Sequence, residues 1–244
     1  MQNDERMDIL NGDGLHILQK RHSFRFGTDS ILLADFAVVK PGARVVDLGA
    51  GTGVISILLA AKHENARFVA IEIQQDMADM AGRSVEMNGL GNRIEVLQMD
   101  MRCAAREIGF GNHSLVVCNP PYGKLNGTLV SERPEEYIAR HEGSLTICHV
   151  AESAAALLKN GGRIALIFPA PRLFELMEAL RANDLEPKRI RTVHAMADRA
   201  PKRILLDAVK GGGSQLHWMP PLVLSNADGT PSAEWRRIYR EDSS

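Results

Sequence analysis

Several features that define common protein classes are missing from this 244-residue chain, and each absence narrows what it does. Cysteine is scarce: Cys103, Cys118 and Cys148 are an odd set without C-x-x-C spacing. That excludes a disulfide framework and leaves reduced, buried thiols as the expectation. No stretch approaches eighteen uninterrupted apolar residues, and the first seven, Met1 to Met7, are charged where a secretory leader is apolar. A soluble, cytoplasmic protein is expected. Charge of one sign is also lacking, since 29 Lys and Arg balance 30 Asp and Glu for a net −1. Any nucleic-acid surface must therefore be a local patch. Histidines such as His149 beside Cys148 show no metal-ligand spacing, so no metal site is assigned.

What is present is a glycine-rich turn. Asp47-Leu-Gly-Ala-Gly-Thr-Gly53 follows Val45-Val46 and precedes Val54-Ile-Ser-Ile-Leu-Leu59, which reads as strand, turn and helix. Glycines at every second position, Gly49, Gly51 and Gly53, let the backbone turn sharply and bring its N–H groups to a ligand at the positive end of the helix. A dinucleotide fingerprint is spaced G-x-G-x-x-G, whereas this one is G-x-G-x-G. It opens with Asp47, whose carboxylate suits an ammonium group better than a pyrophosphate. Arg67 to Glu72 reads as a second strand ending in an acid, at the separation where such folds place a carboxylate on ribose hydroxyls. Glu72 and the adjoining Ile73 are thus placed on the nucleoside. The ligand these residues indicate is S-adenosylmethionine (SAM), and a nicotinamide-dependent dehydrogenase is the remote alternative.

From Pro41-Gly42 onward the pattern alternates. Strands are expected near 43–48, 67–72, 93–98, 114–118 and 162–168, with helices near 53–62, 74–88, 144–158 and 171–183. This argues an α/β fold with a parallel sheet covered on both faces. Ligands belong beyond the carboxyl ends of such strands, where Asp47, Glu72, Asp100 and Asn119 all fall. Asp100 has two readings, an acceptor for the adenine amino group with Met101 packed on the ring, or a helix cap. Lys188–His194 and Arg203–Lys210 read as two further strands forming a hairpin. Near the N-terminus, residues 8–23 suggest a hairpin turning at Asn11-Gly-Asp-Gly14. Thr28, Asp29 or Ser30 is a candidate cap for a helix beginning at Ile31. Gly211-Gly-Gly213 reads as a loop before a proline-rich tail.

Asp47–Gly53, Glu72 and Asn119-Pro120-Pro121-Tyr122 together resemble the SAM-dependent amino-methyltransferases. Phe24–Asp29, Ile138-Ala-Arg-His-Glu142, Lys202–Leu206, Lys210-Gly-Gly212 and Pro220-Pro-Leu222 narrow the likeness. With them the chain resembles the bacterial tRNA(Val) adenine-37 N6-methyltransferase family, which act beside the anticodon. The resemblance implies a Rossmann-like, seven-stranded SAM-dependent methyltransferase fold, mostly parallel with an antiparallel terminal hairpin. It spans 1–244 as one domain: an extension at 1–40, a core at 41–210 and a tail at 211–244. It also implies that Gly27, Thr28 and Asp29 close over the methionine end of the cofactor.

Asn-Pro-Pro-Tyr has a chemical logic of its own. An exocyclic amine on an aromatic ring is a poor nucleophile, because its lone pair is delocalised. The Asn119 side-chain oxygen and the Pro120 carbonyl can accept its two N–H groups and aim the lone pair at the sulfonium methyl, while proline rigidifies the turn. Tyr122 would stack on the base. Residues 123–142 read either as a lid or as a solvated loop. The stretch 181–203, with Arg181, Lys188, Arg189, Arg191, Arg199, Lys202 and Arg203, reads either as a phosphate-contacting edge or as an ordinary solvated face. RNA, specifically tRNA, is the partner so implied. The rivals are a protein-glutamine N5-methyltransferase, since the same motif can present a side-chain amide, and an inactive SAM-fold RNA-binding module.

Overall fold

A computed structural model describes residues 4–10, 14–21, 27–120 and 145–239. The chain order is β1 (Glu5–Leu10), β2 (Leu15–Lys20), α1 (Thr28–Phe36), β3 (Arg44–Leu48), α2 (Val54–Lys62), β4 (Arg67–Glu72), α3 (Gln75–Met87), β5 (Ile94–Gln98), α4 (Ala104–Ile108) and β6 (His113–Cys118). It continues with α5 (Ile147–Leu157), β7 (Leu158–Pro169), α6 (Leu173–Arg181), β8 (Leu185–His194), β9 (Arg203–Lys210), β10 (His217–Trp218), β11 (Leu222–Val223) and α7 (Ala233–Tyr239).

The main sheet runs β10-β8-β9-β7-β6-β3-β4-β5, with β11 also on β8. β9 is antiparallel to both its neighbours and the remaining pairs are parallel. The expected α/β sheet and its terminal hairpin are therefore present. Two short strands within the proline-rich tail, beyond the expected elements, extend it to nine.

Alternation along β3 shows how the layers are built. Val45 joins an apolar cluster with α1 and α2, while Val46 and Leu48 join the cluster of α5 and α6 on the other face. Burial on both faces explains the unbroken apolar runs of the central strands. The structure also revises smaller expectations. The N-terminal hairpin is real but begins at Glu5, and of its turn only Gly14, with φ 67°, lies within the described residues. It packs on α3, where Arg83 makes two bonds to Glu5 at 2.9 and 2.5 Å and the Ser84 hydroxyl accepts from the Leu18 N–H. Helix α1 starts at Thr28 with no side-chain cap, because the N-cap position is Gly27 and the candidates Thr28, Asp29 and Ser30 lie inside the first turn. Of the cysteines only Cys118, on the central strand β6, is buried; Cys103 and Cys148 lie on outward faces of their helical turns and are exposed. Among the described residues no helix is long and apolar enough to cross a membrane.

Candidate active site

A cleft of about 440 Å³ opens at the carboxyl ends of β3, β4, β5 and β6. These strands flank the point where the chain's crossovers reverse direction, the usual ligand position in such sheets. Of the residues singled out from sequence, Gly49, Gly51, Glu72, Ile73, Asp100, Met101 and Asn119 line it. Gly49 and Gly51 have φ of 71° and 57°, and a side chain at Gly49 would meet Met101 Cε at 3.6 Å. The turn is tied to β4 because the N–H groups of Gly49 and Ala50 both donate to the Ile71 carbonyl at 2.9 Å.

Glu72 is 6% exposed and held at both oxygens: Oε2 accepts from the Gly51 N–H and Oε1 from the Gln74 N–H, each at 2.9 Å. The next residue, Ile73, is 59% exposed at the cleft rim, an apolar surface left uncovered beside a fixed carboxylate. Of the two readings of Asp100, the cap is observed. It lines the cleft, yet it also caps the short turn 101–103 by accepting the Arg102 N–H. Its carboxylate is gripped by the Arg102 guanidinium at 2.5–3.0 Å, which holds it below the usual carboxylate range. Asn119 Nδ2 donates to the Ser30 hydroxyl at 3.4 Å, so the start of α1 touches the end of β6. Pro120 is buried beside it; Pro121, Tyr122 and the 123–142 stretch lie outside the described residues.

Pro120 and five of the cofactor candidates do not line the cleft. Gly27, Thr28 and Asp29 begin α1, where Asp29 is paired with Arg203. Gly53 serves packing: its φ is 84°, and a Cβ there would lie 3.4 Å from Ala81 on α3. Asp47 points to the α2 face, beneath the turn, because alternation along β3 turns it away from the ligand side. It is 1% exposed, its Oδ2 accepts from the Ser56 hydroxyl at 2.9 Å, and Oδ1 has no partner. Burial pushes its pKa up to about 7, against the Ser56 bonds, with a small push from Glu72. Sequence reasoning missed Ser56, although a lone hydroxyl in the run Val54-Ile-Ser-Ile-Leu-Leu59 was the available signal. It also missed Arg102 and the lining residue Leu145.

The basic stretch is largely spent inside the molecule. Arg203 pairs with Asp29, Arg191 with Glu234 at 2.7 Å, Arg189 with Asp207 at 2.5 Å and Arg181 with Glu186 at 3.3 Å. Arg181, Arg191 and Arg203 are thus matched to carboxylates and have little charge left for a phosphate, whereas Arg189 shares Asp207 with Arg163.

This sheet order, with a glycine turn and an acid at the ends of adjacent strands, defines a SAM-dependent methyltransferase. The model of the methyltransferase small domain matches residues 23–171, and the chain belongs to that family. A tRNA1(Val) (adenine(37)-N6)-methyltransferase of Tolumonas auensis is 30% identical over 78% of this chain and 78% of its own. Its namesake from Porphyromonas gingivalis is 32% identical over 81% and 79%. The crystal structure of a protein from Agrobacterium tumefaciens, named as a predicted O-methyltransferase, matches with a TM-score of 0.71 at 25% identity, covering 87% of this chain and 96% of that one. A SAM-dependent O-methyltransferase from Thermotoga maritima shares the fold, with a TM-score of 0.56 at 18% identity, over 80% and 69% of the two chains.

Proposed function

We propose that the chain methylates the exocyclic N6 of an unpaired adenine in RNA, adenosine 37 of a tRNA anticodon loop. The observation that carries this reading is the shared cleft: Asn119 of the Asn-Pro-Pro-Tyr motif lines the same cavity as the glycine turn and Glu72. Its support from outside is the likeness to relatives named as tRNA1(Val) (adenine(37)-N6)-methyltransferases.

The cavity fits the cofactor. Its volume falls in the range of about 300–1,000 Å³ usual for small-molecule sites. Glu72, oriented by two N–H groups, retains lone pairs for a ribose diol. Ile73 and Met101 offer apolar surface to a purine, and Asp100 offers an acceptor. Asp47 lies outside the cavity lining, bonded to Ser56 of the helix that the turn opens.

When bound, SAM supplies an electrophilic methyl group on its sulfonium. The protein's part is alignment. A target base flips out of its stack, which costs least in a loop, and its amine donates to the Asn119 side-chain oxygen and the Pro120 carbonyl. That geometry points the nitrogen lone pair at the methyl. Methylation acidifies the nitrogen, so no strong base is required, and Tyr122 stacks on the ring at about 1–3 kcal/mol. The same reading takes residues 1–244 as one methyltransferase domain acting on RNA in the cytoplasm. Incubation with SAM and total tRNA, followed by nucleoside mass spectrometry, should yield N6-methyladenosine. Methylation only of protein glutamine would favour the rival substrate, and bound SAM without turnover the inactive module.

A further inference from the structure

A second cleft, of about 680 Å³, lies away from the reaction site on the α1 face of the sheet. Its floor is β7, β9 and β8, and its walls are the segment after α1 and the chain leading into β10. Lys40, Arg163, Lys188 and Arg189 line it, against a single carboxylate, Asp207. Asp207 is 1% exposed and takes both arginines, Arg163 at 3.1 Å and Arg189 at 2.5 Å. Arg189 is further fixed over the Phe36 ring, 4.5 Å from its centroid, and donates to the Phe36 carbonyl. One acid thus anchors two cations and neutralises only one. Lys188 donates to the Gly213 carbonyl, a neutral partner, and Lys40 is exposed. The lining carries a surplus of three positive charges in a chain whose net charge is −1.

We infer that this cleft holds the RNA backbone, gripping phosphates of the stem while the target base occupies the Asn119 site. The inference rests on the RNA reading proposed above. Charge complementarity argues for the occupant, because a groove with a cationic surplus matches a polyanion, and Gln215 and His217, which also line it, can hydrogen-bond to phosphate oxygens. Distance argues for the stem. From β6 to β10 there are four strand spacings of about 4.8 Å, which puts the far wall roughly 20 Å from Asn119. At about 3.4 Å per stacked nucleotide this is some six nucleotides away, beyond the immediate neighbours of the flipped base.

The test uses Lys40→Gln, Lys188→Gln and their double variant, since neither lysine supports Asp207. Removing Arg163 or Arg189 would strand that buried acid. Arg106→Gln, an exposed charge on the opposite face of the sheet, is the control. Each lysine variant should lower the salt slope of tRNA binding by about 0.7–0.9. The double variant should weaken binding about ten-fold near 0.1 M salt, leave calorimetric SAM affinity unchanged, and methylate a five-nucleotide RNA as the unaltered protein does. Unaltered slopes, an equal change in Arg106→Gln, or an equal loss on the short RNA would overturn the proposal. If the unaltered protein neither binds nor methylates tRNA, the RNA reading fails instead, and the two failures are told apart in one experiment.

Discussion

Arg203, the first residue of β9, donates its Nε–H to Asp29 Oδ2 at 2.9 Å, joining positions 174 residues apart in the chain. One residue further along α1, Ser30 accepts from Asn119. The start of α1 is thereby clamped between the terminal hairpin and the end of β6, so an arginine that reads in sequence as a phosphate contact is a structural tie.

Replacing either member should therefore cost stability rather than RNA affinity. Asp29→Asn and Arg203→Gln should each destabilise by about 1 kcal/mol, the scale of a half-exposed charged hydrogen bond. The double variant should cost less than the sum. Urea denaturation measures the cycle, and additive losses would show that the pair is not coupled. The salt slope of tRNA binding should not move in Arg203→Gln.

Cofactor affinity should depend on Glu72 and on the turn it braces. Glu72→Ala removes the ribose acceptor and leaves the Gly51 and Gln74 N–H groups without partners, so SAM binding should weaken by about a hundred-fold or more, as two lost charged hydrogen bonds imply. Gly51→Val forces a β-branched side chain to φ 57° and should do the same. Calorimetry with wild-type affinity in both folded variants would sink the site assignment.

Chemistry and binding should separate at Asn119. Asn119→Ala removes an acceptor for the target amine while leaving Glu72 and the glycine turn intact. Turnover should fall by roughly a hundred-fold or more with SAM affinity within a few-fold of the unaltered protein. Normal single-turnover rates in the purified variant would remove Asn119 from the mechanism.

Asp47 should leave a mark on the pH dependence of stability. Burial lifts its pKa to about 7 from an ordinary 3.8, so between those values the folded protein binds more protons than the unfolded chain. The contribution is full below about pH 4 and is lost as pH rises through 7, on the order of a few kcal/mol at about 1.4 per unit. Asp47→Asn cannot ionise, so it should gain over the unaltered protein from pH 5 to pH 8. Urea midpoints with parallel pH profiles would show that Asp47 is ionised throughout.

The parts of this fold legible in sequence are those set by local rules. The five parallel strands betray themselves by apolar runs, and the glycine turn by its spacing; both occupy the expected stretches to within a few residues. Glu72 and Asn119 were legible because each ends such a strand. What escaped was decided by tertiary partners. Asp47 was assigned to the ligand side, but strand alternation turns it toward Ser56. The arginines between 181 and 203 looked available because Asp29, Asp207 and Glu234, their acceptors, lie 18 to 174 residues away along the chain. The cationic cleft was invisible for the same reason, since Lys40 and Arg163 come from distant segments. β10 and β11, two residues each, carry no periodicity to detect.

Those two short strands have a consequence for solubility. β8 spans ten residues and, with β9 on one side, would otherwise offer its other side as a long unpaired border. β10 and β11 fill that border at Arg189–Ile190 and Val193–His194, and Pro220-Pro221 between them supply no amide hydrogens to a newcomer. The tail is a hem: it stops this border of the sheet from templating another chain, and unpicking it would invite edge-to-edge aggregation at a place remote from any chemistry.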